Sequence, residues 1–312
     1  MEKLIDLKSY PVSTVLKLLI QDKATKENIV FATSIYNING KPISEKEQIT
    51  MRILENFGNE IIQPRAIKSP KTQAERTRKK AEVFTPSWLC NRMNNYCDLN
   101  WFGRENVFNI EHDETWETTT KPIEFNHSKD WQQYIDSTRI EVTCGEAPYI
   151  VSRYDTTTAE IIPISNRIGM LDRKLRIVNE NTDNEKDWLK WTYRAFQSVY
   201  GFELQGDNLL IARINLLITF ADYMQAKWNR MPTDTELIKV TDIIVWNFWQ
   251  MDGLTGTFPF GKQKRCYQMT LFDDMPDIQQ TTKGIDCILF DWRNKKSLTY
   301  NSMLKMELKN EI

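Results

Sequence analysis

Apolar positions along this chain recur at two spacings, and the helical one opens it. Val15, Leu16, Leu18, Leu19 and Ile20 follow Ser13-Thr14, a short helical pattern with a capping signal. Asn28-Ile29-Val30-Phe31-Ala32-Thr33 reads as a strand. Residues 45–57 predict a second helix, with Ile49, Met51, Ile53 and Leu54 on its apolar side. Residues 82–110 are rich in aromatics and asparagine, and 111–137 read as a polar, acidic surface excursion. From 138 onward strands and helices alternate. Strands are predicted over 139–143, 200–204 and 243–246, and helices over 188–199, 207–224 and near 233–239. A loop-like stretch, 261–286, precedes one last strand over 287–290 and a charged tail. Such alternation predicts an α/β sheet, and no internal repeat competes with it.

Composition narrows the classes. The chain has 312 residues, 41% hydrophobic and 27% charged, enough for a sizeable core. Lys+Arg 41 against Asp+Glu 42 gives a net charge of -1, which excludes a generally basic nucleic-acid coat but not a local patch. No apolar run approaches the ~20 residues of a membrane span. The start, MEKLIDLKSYPV, lacks a signal-peptide pattern, so a cytoplasmic protein without a membrane is expected. Cys90, Cys97, Cys144, Cys266 and Cys287 form no CxxC pair, and the only histidines are His112 and His127. No metal site is expected, and the cysteine usage suits a reducing compartment. With Gly at 11, neither a P-loop nor a dinucleotide fingerprint is present.

Charge is most lopsided over 63–80. Arg65, Lys68, Lys71, Arg76, Arg78, Lys79 and Lys80 stand there against one acid, Glu75. A solvated linker or helix face is the plain expectation for such a run. Contact with DNA phosphates, through Arg65, Lys68, Arg76, Arg78, Lys79 and Lys80, is the sharper one. The expected organisation is a mixed helical region over 1–62, this basic segment over 63–80, a cofactor-binding domain over 81–292 and the tail over 293–312.

In open α/β sheets ligands bind beyond the carboxyl ends of the strands. The first expected strand ends in Glu141-Val142-Thr143-Cys144-Gly145-Glu146-Ala147, where a glycine lets backbone approach a ligand. The second ends at Glu203-Leu204; a carboxylate there accepts both ribose hydroxyl protons. The third is followed by Asp252-Gly253-Leu254, an acid placed to accept from an exocyclic amine. Together they describe a nucleoside pocket.

These residues resemble a known family, the adenine-specific (N6) DNA methyltransferases that form the M subunits of restriction–modification systems. Ala81-Glu82-Val83-Phe84-Thr85-Pro86 is similar to its FTP motif, and Ile140-Glu141-Val142-Thr143-Cys144-Gly145 to its LDPxCGxG turn. Tyr200-Gly201-Phe202-Glu203-Leu204, with Asn208 through Leu216, is similar to its GxE…LARxNL strand and helix. Asp252-Gly253-Leu254 resembles its Asp-x-Leu motif. The resemblance spans roughly 60–260 and implies a Rossmann-like class I S-adenosylmethionine-dependent sheet, with DNA as substrate. It implies that Phe84, Thr85 and Pro86 line the methionine end and that the turn from Cys144 to Ala147 passes under the cofactor. Glu203 would bind the ribose and Asp252 the adenine amine. Trp88 or Phe248 would pack on an adenine face, if not simply in the core.

Two departures stand out. Ala147 occupies the place of a second glycine. The family's Asn/Asp-Pro-Pro-Tyr/Phe motif, which grips the flipped base, is missing, because the chain contains no Pro-Pro pair. Asn247, in Asn247-Phe248-Trp249-Gln250, and Asp291, beside Trp292, are the available substitutes. Three explanations stay open: a split enzyme whose partner chain carries the catalytic and target-recognition parts, a degenerate enzyme that binds DNA or a protein, and an enzyme with an unusual motif. The split form is favoured, because the cofactor elements are kept while everything downstream is missing. A nuclease-like Asp291…Glu307-Leu308-Lys309 arrangement is the alternative of another class.

Overall fold

The computed structural model describes residues 3–38, 40–80, 82–261 and 284–303. The N-terminal region contributes α1 (Val12–Leu19), a small hairpin of β1 (Asn37–Ile38) and β2 (Lys41–Pro42), and α2 (Met51–Ile61). The expected strand at 28–33 is an extended, buried segment held by isolated bridges. Thr50 caps α2 through the Ile53 N–H, so that helix begins later than its apolar spacing suggests.

The basic run is a single turn, Arg65–Ile67, followed by α3 (Pro70–Lys80). α4 (Ser87–Phe102) follows, then a hairpin of β3 (Asn109–His112) and β4 (Thr115–Thr118), and α5 (Asp130–Asp136). The supposed excursion over 111–137 thus carries regular structure, and Trp131, Tyr134 and Ile135 bury its helix.

At the centre lie β5 (Arg139–Val142), β6 (Val199–Glu203) and β7 (Phe248–Gln250), parallel and adjacent in chain order. α6 (Met170–Asn181) and α7 (Glu185–Gln197) connect the first two, and α8 (Gly206–Trp228) and α9 (Asp234–Asn247) the second two. The protein is therefore mixed α/β with a parallel three-stranded sheet. The strand expected at 243–246 is the end of α9. A Thr233–Glu236 capping box starts that helix, and Leu237, Val240, Thr241 and Ile244 keep a buried helical spacing, so tertiary burial overrides the β-branched run. The third strand begins one residue after the helix ends.

The sheet has different covers on its two faces. Val199 and Phe248 join the main core with α8 and α9. Phe202 and Trp249 join a second cluster with Cys287 and Leu289, which precede or belong to β8 (Ile288–Asp291). β8 pairs antiparallel with β9 (Lys296–Thr299) and is not a further strand of the parallel sheet. Among the described residues α8 alone has the length and apolarity of a membrane-crossing helix, which the sequence reading did not anticipate. Of its most apolar stretch 78% is buried, so the protein's own elements cover it.

Arg213 of α8 ties these layers together. It is fully buried and donates to the carbonyls of Phe248, Leu19 and Gln21, at 2.6–2.9 Å for Phe248. Burial lowers its pKa to about 10, with Asp22 opposing the shift. Arg213→Met should leave three carbonyls without a donor and cost on the order of 3 kcal/mol. Urea denaturation checks this, as a lower midpoint at an unchanged m-value.

Candidate ligand pocket at the strand ends

β5 and β6 end side by side, and the chain beyond β5 turns sharply. Gly145 has φ 53° and Ala147 φ 65°, both left-handed. At 147, where the resembled family places glycine, the backbone takes the conformation that glycine tolerates best, with an alanine accepting the strain. The first turn of α8 and the segment leading into α4 close the other sides.

Between them lies a cavity of about 130 Å³. Its lining includes Glu82, Phe84, Thr85, Glu141, Cys144, Gly145, Glu203 and Gln205. Phe84 lies over Gly145, whose Cβ position is 3.4 Å from the ring. Glu203 accepts from the N–H groups of Gly145 and Gln205, each at 3.0 Å. Burial, with Glu82 and Asp207 nearby, raises its pKa to about 7. Glu141 is pushed well above the ordinary carboxyl range by burial. Two buried oxygens at this cavity, Glu141 Oε2 and Gln205 Oε1, have no hydrogen-bond donor among the described residues. Glu82 Oε1 has only a 3.5 Å ion-pair contact, from Arg65 Nε. The cavity is thus rich in acceptors and suits a ligand that brings N–H or O–H donors, such as an amine or a diol.

Other expected cofactor residues lie elsewhere. Pro86, Ala147, Leu204, Asp252 and Gly253 do not line this cavity. Asp252 accepts from Leu254 N–H and pairs its backbone with Thr257. Asp252 therefore does not line the cavity that Glu203 lines. The volume also falls below the ~300 Å³ typical of small-molecule pockets, so a whole nucleoside would need the Val83–Phe84 segment to move.

The substitutes for the catalytic motif are engaged structurally. Asn247 is fully buried, donates to the carbonyls of Phe196 and Val199 and accepts from Trp292 Nε1. Val199 begins β6, so this asparagine sits at the end of the sheet opposite the cavity. Asp291 closes the β8–β9 turn, and hydrogen bonds from Asn294 hold its pKa below the usual carboxyl value. Glu307 and Lys309 lie outside the described residues, as do Ala81 and Cys266. Among the described residues no cluster of metal-ligating side chains occurs.

The basic run divides. Lys68 and Arg76 are buried, against the expectation that they meet phosphates. Arg76 pairs with Glu82 at 2.6 Å and Asp207 at 2.7 Å, and Lys68 with Asp207 at 3.2 Å. Arg65 is half-buried near Glu82 and stacks over Phe84. Lys80 pairs with Glu45 and Lys79 with Glu75, so Arg78, Lys79 and Lys71 remain as the exposed cations of α3. Glu82, Gln205 and the Arg76 cluster are participants that the sequence reading missed. Partners in that cluster stand up to 171 residues apart, from Tyr36 to Asp207, and only Glu82, two residues before Phe84, gave a local signal.

A groove of about 970 Å³ between α7 and α9 is larger, but it contains none of the strand-end residues and gathers no buried acids. No protein-family model, curated protein or solved structure matches the chain.

Two consequences can be measured. Glu203 and Glu146, both raised to about 7, hold protons that the unfolded chain loses near 4.5. Their stabilisation is complete below pH 4.5 and is lost as pH rises through 7, by up to about 3 kcal/mol each. Chemical denaturation across this window should show stability falling with pH, with a shallower slope in Glu203→Gln. Gly145→Ala should cost ~1–2 kcal/mol for its left-handed φ, with a further loss from contact with Phe84, read as a lower Tm.

Proposed function

We propose that this chain is the S-adenosylmethionine-binding subunit of an adenine-N6 DNA methyltransferase of the restriction–modification type. In this reading its parallel strands are part of a Rossmann-like sheet, and a partner chain supplies the residues that grip the target base. The supporting observation is the acceptor-rich cavity itself. The Phe84-Thr85 segment, the Cys144-Gly145 turn and the acids of two successive strand ends surround it, and two buried acceptors there lack donors.

The cofactor supplies an electrophilic methyl group on sulfur. The chain's own residues would hold its donors: Glu141 and Gln205 accept from the ammonium or hydroxyl groups, and Glu203 from the ribose. Phe84 covers the turn and keeps water from it. Glu203 presents a carboxylate to a diol best when ionised, above its pKa of about 7. DNA would meet the exposed Arg78, Lys79 and Lys71 of α3.

A second reading has its own observation. The cavity is small, and Glu203 is already bonded to two backbone N–H groups, which favours a methyltransferase-fold protein that binds DNA or a protein without using the cofactor. Calorimetry with S-adenosylmethionine separates the two. The first reading expects binding that strengthens as pH rises through about 7 with release of a proton, and a roughly tenfold or greater loss in Glu141→Gln. No heat at any pH, with or without the product of the neighbouring reading frame, leaves the second reading.

A further inference from the structure

β5 is an edge strand. Its only ladder partner among the described residues is β6, and Arg139 N–H donates to Ser198 O, which turns residues 139 and 141 toward that neighbour. The main-chain groups of Ile140 and Val142 therefore point the other way, and no described residue bonds to them. Their side chains are exposed as well, Val142 at 63% and Ile140 at 43%. Edge strands of folded proteins normally carry a proline, an inward charge or a covering loop; this one has an inward acid, Glu141, but its outer face still offers two β-branched apolar residues.

The neighbouring surface extends the feature. β8 and β9 cover the sheet face over β6 and β7 but stop short of β5. Between them lies a groove of about 410 Å³ that is lined by apolar residues, Ile140, Tyr200, Trp249, Leu289 and Leu298 among them, and by the charged Asp136, Arg194, Asp291 and Arg293. At the start of the strand Arg139 has no acidic partner among the described residues; its guanidinium contacts Thr138 O and the Tyr134 ring. At the far end the strand runs into the Thr143–Gly145 turn that lines the ligand cavity. Unpaired main chain, a groove with apolar and charged walls and a cation without an acidic partner thus share one border, and that border leads to the cavity.

We propose that a partner polypeptide adds an extended segment to the free edge of β5, as a fourth strand. Its alternate apolar side chains would cover Ile140 and Val142 and fill the groove, and an acid would lie opposite Arg139. Main-chain hydrogen bonds give such strand addition its affinity, and the alternate side chains give its specificity. The inference rests on the split reading above for the existence of a partner, not on the identity of the cavity's ligand.

The test uses the full chain with the product of the neighbouring reading frame as probe, followed by hydrogen exchange and calorimetry. The expected result is a complex in which the amides of Ile140 and Val142 exchange about 100-fold more slowly than in the chain alone. Ile140→Lys should weaken that complex roughly tenfold or more, and Arg139→Gln should weaken it and reduce its salt dependence, while both variants keep the wild-type Tm. The proposal is overturned if no complex forms, or if protection falls elsewhere with Ile140→Lys binding normally. It is equally overturned if these amides are already slow in the chain alone, through self-association or through residues 304–312, as a version ending at Met303 would reveal. S-adenosylmethionine binding is measured separately on the same complex, so its absence would count against the methyltransferase reading and leave the docked strand in place.

Discussion

Everything near the cavity hangs on the ion cluster around Asp207. This carboxylate, in the first turn of α8, is fully buried, and Arg76 with Lys68 holds its pKa well below the usual range. Arg76 reaches Glu82 with its other donors, and Tyr36 and Asn208 complete the set. Four segments of the chain therefore meet at one guanidinium: the β1 hairpin region, α3, the approach to Phe84 and the start of α8. Such a cluster adds little net stability over an apolar replacement, but losing one member strands the others without water. Its effect is to fix geometry. It sets where residue 82 lies, and hence where Phe84 lies relative to Gly145.

The same cluster explains why a charge pattern misled the sequence reading. A run of seven cations within 18 residues has the composition of a surface, and five of them are at least partly exposed. The two that turn inward, Lys68 and Arg76, find their acids at 207 and 82, positions that no local window joins to them. Local signals served better where one interaction decides an element. The Thr233–Glu236 box and the Gly145 turn after β5 were legible, as were the burial patterns of α7 and α8. The strand at 243–246 was misplaced because β-branched residues also fit a helix whose buried spacing they happen to obey. The β8 hairpin read as a plain strand, since nothing in 287–290 tells which neighbour it will choose.

For the cavity, the motif residues at the ends of β5 and β6 were identifiable and lie together, whereas Asp252 after β7 does not join them. Short parallel strands make this understandable. With only three residues in β7, Gln250 pairs beside Glu203 and Met251 N–H donates to the Glu203 carbonyl, and the chain then folds back at once through the Asp252–Thr257 bridge, so the Asp252 side chain does not line the cavity. The acceptors that do line the cavity are buried acids whose protonation answers to burial more than to any one neighbour, so occupancy and acidity there are linked.

Gln250 carries a different implication. Its side-chain amide pairs with both main-chain groups of Val30, 220 residues away, much as a peptide group in a neighbouring strand would. Arg213 draws Leu19 into the same region. The last parallel strand thus leans on a segment that leaves the ribosome long before it, and those earlier residues reach their final contacts only once the strand has been made. Loop closure over such a span makes for slow, late maturation. During synthesis Val30, in a stretch whose neighbours already bond to Ile20, Glu45 and Glu47, would wait for a glutamine that arrives 220 residues later.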